Sequence, residues 1–271
     1  MPELPEVQTV LNTLEKRIRG RKITDIQIIY KPIVECSEKE FRKRLIGSCF
    51  REFKRRGKYL LFEMDDVTLV SHLRMEGKYF ILDESVPLDK HDHVIFCLDD
   101  GKQLRYNDVR KFGRMELIDK NEYYRRFKDL GPEPFSEEFN ARYCRDYMKG
   151  KKQPIKQVLL DQSFVAGIGN IYADEILSAI HLDPRTPAGN LSRKQLEELV
   201  VVTGNILNRA IEAGGTTIRS YTSSLGVTGR FQLDLNVHGL DVCPFCGTAI
   251  KKIRVGGRGT YYCPKCQKRK R

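Results

Sequence analysis

The sequence lacks any long apolar run, and none in its 271 residues approaches the roughly 20 that a membrane-spanning helix needs. Its start, MPELPEV, lacks the basic region and apolar core of a signal peptide, because acidic residues stand in their place. Internal repeats are also missing. We therefore expect a soluble cytoplasmic protein with one large domain or two ordinary ones.

Acidic residues are missing from the segment Cys243–Arg271, which nevertheless holds nine Lys or Arg. Over the whole chain, 48 Lys and Arg face 36 Asp and Glu, which gives a net charge of +12. A surplus of this size indicates either a polyanionic partner or simply a solvated basic surface. Because much of the surplus is concentrated in one short segment, we favour the polyanionic partner.

Eight cysteines fall into two groups, and only one group has a regular spacing. Cys36, Cys49, Cys97 and Cys144 are scattered, which is typical of buried or reduced thiols. Four others form C-x2-C, sixteen residues, then C-x2-C: Cys243, Cys246, Cys263 and Cys266. This spacing is typical of one structural zinc ion held by four thiolates. Two disulfides are the alternative, which a reducing cytosol disfavours.

Hydrophobic spacing predicts a helix at the N-terminus, followed by a β-rich region. Apolar residues from Val7 to Ile18 recur at helical intervals, and Pro5 suits a first helical turn. Seven segments read as strands and predict a sandwich of two sheets: 22–29, 50–64, 68–75, 78–82, 93–98, 103–106 and 114–118.

The pattern changes near Gly131-Pro132-Glu133-Pro134, where prolines mark a linker. Helical patterns follow over 140–148, 155–160, 171–180 and 192–213. We therefore predict an α+β protein with three domains. They are an N-terminal β-sandwich with a flanking helix (1–131), a helical domain (132–235) and a zinc finger hairpin (236–271).

The segment FVAGIGNIYADE, from Phe164 to Glu175, joins two of the predicted helices. Gly167 and Gly169 free the backbone before the second helix, and Asn170 is a candidate cap. Exposed N–H groups at such a helix start bind phosphate, so the segment predicts a clamp on a nucleic-acid backbone. An ordinary helical hairpin with glycines for close packing is the alternative.

Three further segments carry weaker signals. Lys58 in RRGKYLLF lies at a strand edge, where a lysine is usually solvated. Met75 in HLRMEGKY falls in a predicted strand, where methionine is usually part of the core. Arg110 and Phe112 in YNDVRKFGR lie in a predicted turn and indicate base stacking or stacking within the protein.

Together these segments resemble the bacterial formamidopyrimidine-DNA glycosylase family from Met1 to about Gln267. The matching segments, in order, are PELPEV, RRGKYL, HLRMEGKY, KHDHV, DVRKFG, GPEP, GIGNIYADE, GGTTIR and the paired C-x2-C motifs. The resemblance implies a helix-two-turn-helix at 155–180 and a monomer that acts on nucleoid DNA. It also implies excision of 8-oxoguanine and formamidopyrimidines from double-stranded DNA, followed by cleavage of the abasic strand.

The resemblance also implies catalytic roles for four residues. Once Met1 is removed, the Pro2 amine would attack C1′ of the damaged nucleotide and form a Schiff base. An α-amino group has a reference pKa of about 7.7–8.0, so it is partly neutral at pH 7. Glu3 would protonate the sugar ring oxygen, and Lys58 would act in β-elimination. Arg258 would act in δ-elimination and bind phosphate as a permanent cation.

For DNA binding, the resemblance implies that three residues replace the nucleotide flipped out of the stack. Met75 would occupy the vacated space, Arg110 would pair with the orphaned cytosine, and Phe112 would wedge the stack. Phosphates would be held by His91, Lys151, Lys156, Asn170 and Arg258. Residues 219–232 resemble a lid over the flipped base, although an idle loop has the same composition.

Two alternatives remain for the function. The first is an enzyme like endonuclease VIII, which removes oxidised pyrimidines and whose start usually reads PEGPE, whereas this chain has Leu4. The second is a non-enzymatic zinc-ribbon DNA-binding protein. That reading explains the charge and the cysteines, but it leaves Pro2, Glu3 and Lys58 without a joint role.

Overall fold

A computed structural model describes residues 1–216 and 230–269. By their contacts these residues form two compact units. The first contains Met1–Lys128 and the described part of Ala213–Arg230, and the second contains Asp129–Glu212 and the described part of Phe231–Arg271. The three predicted domains stay a prediction. Residues 219–229 of the predicted lid lie outside the described residues.

The first unit holds two four-stranded antiparallel sheets. One sheet has the order β1-β6-β7-β5 and the other β2-β3-β4-β8. The strands are β1 Ile23–Ile28, β2 Glu52–Arg56, β3 Tyr59–Glu63, β4 Val67–His72, β5 Lys78–Asp83, β6 Asp92–Leu98, β7 Lys102–Asn107 and β8 Arg114–Asp119. The helices of this unit are α1 Leu4–Ile18, α2 Glu38–Leu45 and α3 Tyr123–Phe127.

Helix α1 lies against the core that the two sheets share. Val7, Leu11 and Leu14 recur at helical spacing, and each is at most 2% exposed, in one cluster with side chains of both sheets. Burying an aliphatic side chain of this size contributes about 1.5–3 kcal/mol, so this face fixes α1 in place. The predicted sandwich with a flanking helix is confirmed.

The structure corrects two details of the predicted strands. Residues 50–64 form the hairpin β2–β3 rather than one strand, because Gly57 turns the chain with a φ of 55°. Strand β4 ends at His72, so Met75 lies in the following turn and is not part of the core. Helices α2 and α3 were not predicted, since both are short and highly charged.

The second unit contains four helices and the cysteine-rich hairpin. Its elements are α4 Ala141–Met148, α5 Ile155–Leu160, α6 Asn170–Ala179, α7 Arg193–Glu212, β9 Lys251–Val255 and β10 Arg258–Tyr262. Gly169, rather than the predicted Asn170, is the N-cap of α6. Among the described residues, no helix is long and apolar enough to cross a membrane.

Candidate active site

The N-terminal end of the first unit is held by the Glu6 carboxylate. Pro2 is buried and Glu3 is 3% exposed, just before α1 begins at Leu4. Glu6 Oε2 accepts the Glu3 backbone N–H at 2.9 Å. Glu6 Oε1 accepts both the backbone N–H of Thr216 at 2.8 Å and its hydroxyl at 3.0 Å. One side chain therefore joins the first residues to a segment more than 200 residues later.

Lys58 lies in the turn of the β2–β3 hairpin and is 7% exposed, so it is not the solvated strand end that its sequence context favours. Arg55 ties this turn to α1. Its Nη1 donates to the Gly57 carbonyl at 2.9 Å, and its Nε donates to Gln8 Oε1 at 3.0 Å. The hairpin that carries Lys58 is thereby fixed to helix α1, which Pro2 and Glu3 directly precede.

His72, which the sequence motifs did not single out, belongs to the surroundings of Lys58. Burial, and after it the positive charges of Arg74 and Lys58, lowers the pKa of His72 to about 3. Its Nδ1 accepts the Arg74 backbone N–H at 2.9 Å. His72 is therefore a neutral imidazole whose other ring nitrogen, Nε2, is a donor.

Met75, Arg110 and Phe112 lie on two neighbouring loops of the first unit. Met75 and Phe112 are 36% and 47% exposed, although both are large apolar side chains. They line one open cleft of about 350 Å³ together with Met1. The Arg110 guanidinium lies 4.8 Å from the centre of the Phe112 ring, a cation–π distance. The structure thus brings these three residues to the side of the unit where the chain begins.

His91, a predicted phosphate contact, lies in the loop before β6. Its backbone N–H donates to Asp89 Oδ1 at 2.8 Å, and its carbonyl accepts the Asp108 N–H at 3.0 Å. The loop of His91 is therefore joined to the loop of Arg110 and Phe112.

In the second unit, Lys156 is the centre of a buried polar network. Its Nζ is fully buried and lies 2.6 Å from Asp174 Oδ1, 2.9 Å from Thr260 Oγ1 and 3.1 Å from the Gly259 carbonyl. Asp174 Oδ2 accepts from His238 Nδ1 at 2.8 Å and from the Tyr261 N–H at 3.2 Å. Helices α5 and α6 are thereby tied to strand β10.

This network gives Lys156 a structural role inside the protein, and its predicted contact with a phosphate stays a prediction. Its ammonium has no exposed surface, and its donors point at groups of the protein itself. Asn170 has a related position, because its Nδ2 donates to the Gly259 carbonyl at 2.9 Å. Lys151, by contrast, is partly exposed, with its Nζ 4.5 Å from the centre of the Tyr147 ring.

Arg258 is exposed at the start of β10, next to the two-residue turn Gly256-Gly257. Both glycines have positive φ, 56° and 75°, as a tight hairpin turn requires. A Cβ on Gly256 would lie 2.0 Å from Gln157 Nε2, so the turn packs closely on α5. Together with the bonds to Gly259, this contact fixes the backbone beneath Arg258.

The four paired cysteines form one cluster, with all Sγ atoms within 4.8 Å of one another. Cys246 and Cys263 have their Sγ atoms 3.5 Å apart, and Cys243 and Cys266 have theirs 3.9 Å apart. A disulfide needs about 2.05 Å, so the cysteines are not bonded in pairs. Sulfurs at about 2.3 Å from a tetrahedral zinc lie about 3.8 Å apart, which the cluster fits.

Three family models match the chain. The formamidopyrimidine-DNA glycosylase N-terminal domain matches residues 1–115, and the H2TH domain of the same glycosylase matches 130–222. The zinc finger found in FPG and IleRS matches residues 241–269.

The chain belongs to the formamidopyrimidine-DNA glycosylase family.

Relatives of known name cover the whole chain. The formamidopyrimidine-DNA glycosylase of Bacillus licheniformis is 47% identical over 99% of this chain and 100% of its own length. That of Bacillus subtilis is 46% identical, with 100% of each chain covered. The predicted resemblance is thus confirmed.

Solved structures of the Lactococcus lactis family member are also similar. One is a complex of its G226P mutant with DNA containing Fapy-dG, with a TM-score of 0.94 and 43% identity over 99% of this chain and 100% of that chain. Another is a complex with DNA containing an abasic site, also with a TM-score of 0.94 and 43% identity, over 98% and 100%. The predicted α+β fold is confirmed by these similarities.

The cysteine-rich module from Cys243 to Cys266 holds one structural zinc ion, as the spacing of its cysteines predicts. Gln267 attaches the module to the second unit, since its Nε2 donates to the Leu182 carbonyl at 2.9 Å. Its Oε1 accepts the Cys263 N–H at 2.8 Å, next to the cluster.

Acidic residues of the GIGNIYADE segment were missed as functional candidates. Asp174 supports Lys156 and Tyr261, as described above. Glu175 accepts the backbone N–H groups of Asn236, Val237 and His238 at 2.8–3.0 Å. Burial raises the pKa of Glu175, and these backbone bonds oppose the rise.

Replacing Lys156 by Met is expected to lower the free energy of unfolding by about 3–5 kcal/mol, because Asp174 loses its buried counter-charge. Urea unfolding followed by circular dichroism measures this loss. Lys151→Met is the control and should change stability by less than about 0.5 kcal/mol, since Lys151 is partly exposed. Equal effects of the two changes would contradict the buried role of Lys156.

Cys246→Ser is expected to remove the zinc and release the module, because a structural zinc supplies much of the folding energy of such a module. Elemental analysis should give one zinc per chain in the parent protein and far less in the variant. Trypsin should then cut within 243–271, where nine Lys or Arg lie. Cys36→Ser is the control and should keep the full zinc content and the resistance to trypsin.

Proposed function

We propose that this chain excises oxidised purines, namely 8-oxoguanine and ring-opened formamidopyrimidines, from double-stranded DNA and then cleaves the abasic strand. It is a bifunctional DNA glycosylase and abasic-site lyase of base excision repair. The Lactococcus lactis complexes with Fapy-dG DNA and with abasic DNA support this substrate class, given the similarity of the whole chain.

The observation that carries the proposal is the cleft of the first unit, where Met1 lies beside Met75 and Phe112. A nucleophile at the chain's start would there face the side chains that fill the place of a flipped nucleotide. The N-terminal end of the chain is also held in place, because Glu6 bonds both the Glu3 N–H and Thr216. A DNA-binding module without catalysis has no need to bury Pro2 and Glu3 at a fixed helix start.

In the first step, removal of Met1 exposes the secondary amine of Pro2, which attacks C1′ of the damaged nucleotide. The C1′–N9 bond breaks, and the base leaves with a proton. Glu3 protonates O4′, which opens the sugar and leaves an iminium ion between the Pro2 nitrogen and C1′. The N-terminus of α1 favours the neutral amine, because the positive end of the helix dipole disfavours an ammonium.

Strand cleavage follows from the iminium ion. Loss of a C2′ proton allows the C3′–O bond to break in β-elimination, and Lys58 assists this proton transfer. A second elimination breaks the C5′–O bond. Arg258 contributes to this step by binding the leaving phosphate as a fixed cation, since a guanidinium stays protonated at neutral pH.

Two sets of residues bind the damaged DNA. One set fills the place of the flipped nucleotide, and the other binds phosphates. Met75 occupies the vacated space, Arg110 pairs with the orphaned cytosine, and Phe112 wedges the stack. His91, Lys151, Asn170 and Arg258 bind phosphates, while Lys156 acts by supporting the turn beside Arg258. We place the enzyme in the cytoplasm at the nucleoid, as a monomer.

Glu3→Gln is expected to lower the rate of 8-oxoguanine excision by at least about 100-fold, because an amide cannot deliver the proton to O4′. Cleavage of a preformed abasic site should persist in part, since the base is already gone. Single-turnover assays on the two duplexes measure these rates. Equal losses on both substrates would contradict the assignment of Glu3 as the acid of base release.

An N-terminally extended chain that keeps Met1 should lose both activities, because Pro2 is then part of a peptide bond. Borohydride trapping on an 8-oxoguanine·cytosine duplex should give a covalent adduct with the processed chain and none with the extended chain. A trapped adduct with the extended chain would assign the nucleophile to another residue, with Lys58 the first candidate. No adduct with the processed chain would favour a simple DNA-binding protein.

A thymine-glycol duplex, assayed in parallel, tests for endonuclease VIII activity.

Affinity for abasic DNA is expected to fall steeply with salt, because each neutralised phosphate contributes a slope of about −0.9 in log K against log salt. Several basic contacts predict a total slope of about −3 to −6. Fluorescence anisotropy at several salt concentrations measures it. A slope near zero would mean that the net charge of +12 serves only as a solvated surface.

A further inference from the structure

The loop between β7 and β8 is organised around the carboxylate of Asp108. This residue is fully buried. Its Oδ1 accepts the Arg110 backbone N–H at 3.0 Å, and its Oδ2 accepts those of Phe112 at 2.9 Å and Gly113 at 2.8 Å. Bonds to an ionised acceptor are roughly twice as strong as neutral ones. The backbone that carries Arg110 and Phe112 is therefore wrapped around a single buried anion.

The backbone of Asp108 also holds the neighbouring loop. Its N–H donates to the His91 carbonyl at 3.0 Å, and its carbonyl accepts from His93 Nε2 at 2.9 Å. A carbonyl only accepts, so His93 carries a proton on Nε2. Asp108 therefore connects the loop of His91 with the loop of Arg110 and Phe112.

The hydroxyl of Tyr106 supports a second loop, the one that carries Met75. It lies 3.3 Å from Asp108 Oδ2 and is wedged between Gly77 and Gly113. A Cβ on these glycines would lie 2.2 Å and 1.7 Å from the hydroxyl oxygen. Burial, and then the Asp108 charge, raises the pKa of Tyr106, so the hydroxyl stays protonated and donates.

Both supported loops contain a backbone conformation that needs support. Lys111 and Arg74 have φ of 58° and 54°, in the left-handed region that L-residues rarely adopt. Each lies directly beside a residue proposed to enter DNA, Lys111 between Arg110 and Phe112 and Arg74 before Met75. Such conformations persist where surrounding contacts enforce them. The Asp108 carboxylate and the Tyr106 hydroxyl are among the contacts that hold these two segments.

We infer that Asp108 and Tyr106 are positioning residues, which hold Met75, Arg110 and Phe112 preformed for insertion into the space of the flipped nucleotide. The inference deepens the proposed function and rests on the roles given there to these three side chains. Loops that are already in place spend no binding energy on ordering themselves. Loosening them should therefore slow base excision from a stacked duplex, where the insertion has to occur.

Asp108→Asn replaces one acceptor oxygen by a donor, and Tyr106→Phe removes only the hydroxyl. Tyr79→Phe is the matched control. Tyr79 is 1% exposed and its ring lies 5.2 Å from that of Tyr106, but its hydroxyl bonds Ser71 Oγ at 2.7 Å instead of a loop. Each tyrosine variant thus loses one buried hydroxyl from the same core.

Single-turnover excision of 8-oxoguanine opposite cytosine should fall roughly 10- to 100-fold in Asp108→Asn and less in Tyr106→Phe, as expected for a displaced active group. Discrimination between cytosine and adenine opposite the lesion should fall with it. A 2-aminopurine beside the orphaned cytosine should show a slower fluorescence rise. Cleavage of an abasic site in single-stranded DNA, which has no stack to fill, should stay near the parent rate in all variants.

Two results would overturn the inference. In the first, Asp108→Asn and Tyr106→Phe match Tyr79→Phe in duplex excision. In the second, duplex excision and single-strand cleavage fall together in both, which would mean a general loss of stability. A parent protein without any excision of 8-oxoguanine would instead contradict the proposed function, so the two failures are distinguishable.

Discussion

The chemistry proposed for the first unit depends on the Glu6 carboxylate. A nucleophile on the second residue of a chain starts from the part that usually frays. Glu6 prevents fraying by bonding the Glu3 N–H with one oxygen and Thr216 with the other. The site demands close approach: a Cβ on Gly215, where φ is 79°, would lie 2.8 Å from Glu6 Oε1. The buried face of α1 packs on the core and so fixes the position of the N-terminal residues as well.

The same physical device recurs away from the terminus. Asp108 receives three backbone N–H groups from the loop with Arg110 and Phe112. Asp174 receives the Tyr261 N–H and faces Lys156, beneath the turn with Arg258. In these two cases a buried carboxylate holds the backbone, and a neighbouring arginine side chain remains exposed at the surface. The supporting negative charge is buried, whereas Arg110 and Arg258 are exposed.

This division gives the net charge of +12 a more specific meaning. The acidic residues Glu6, Asp108 and Asp174 are at most 3% exposed, whereas Arg110 and Arg258 lie at the surface. Buried carboxylates repel DNA less than exposed ones would, because their charge is compensated by backbone N–H groups and by Lys156. The protein can therefore use anions for rigidity and still present cations to a polyanion.

Much of the fold and part of the site could be predicted from the sequence. Local periodicity predicts the helix from Val7 to Ile18 and the strands, and the local spacing of the cysteines predicts the zinc site. The burial of Lys58 and Lys156 could not be predicted, because it is not a local property of the sequence. The burial of Lys156 depends on distant partners, since Lys156 and Thr260 are separated by 104 residues. From its sequence neighbours alone, a lysine is interpreted as a solvated side chain or as a phosphate ligand. The neighbours do not show which distant element covers it in the fold.

The supporting carboxylates differ in how far sequence can reveal them. Asp108 bonds N–H groups two, four and five residues ahead, a local pattern in which an aspartate before a turn caps its own loop. In YNDVRKFG, the aspartate before the turn could therefore be recognised from the sequence as the residue that holds the turn. Asp174 has no such signal, because His238 and Tyr261 follow it by 64 and 87 residues. Sequence can therefore suggest which loops are supported locally, while supports that join distant segments become visible only when the fold brings their partners together.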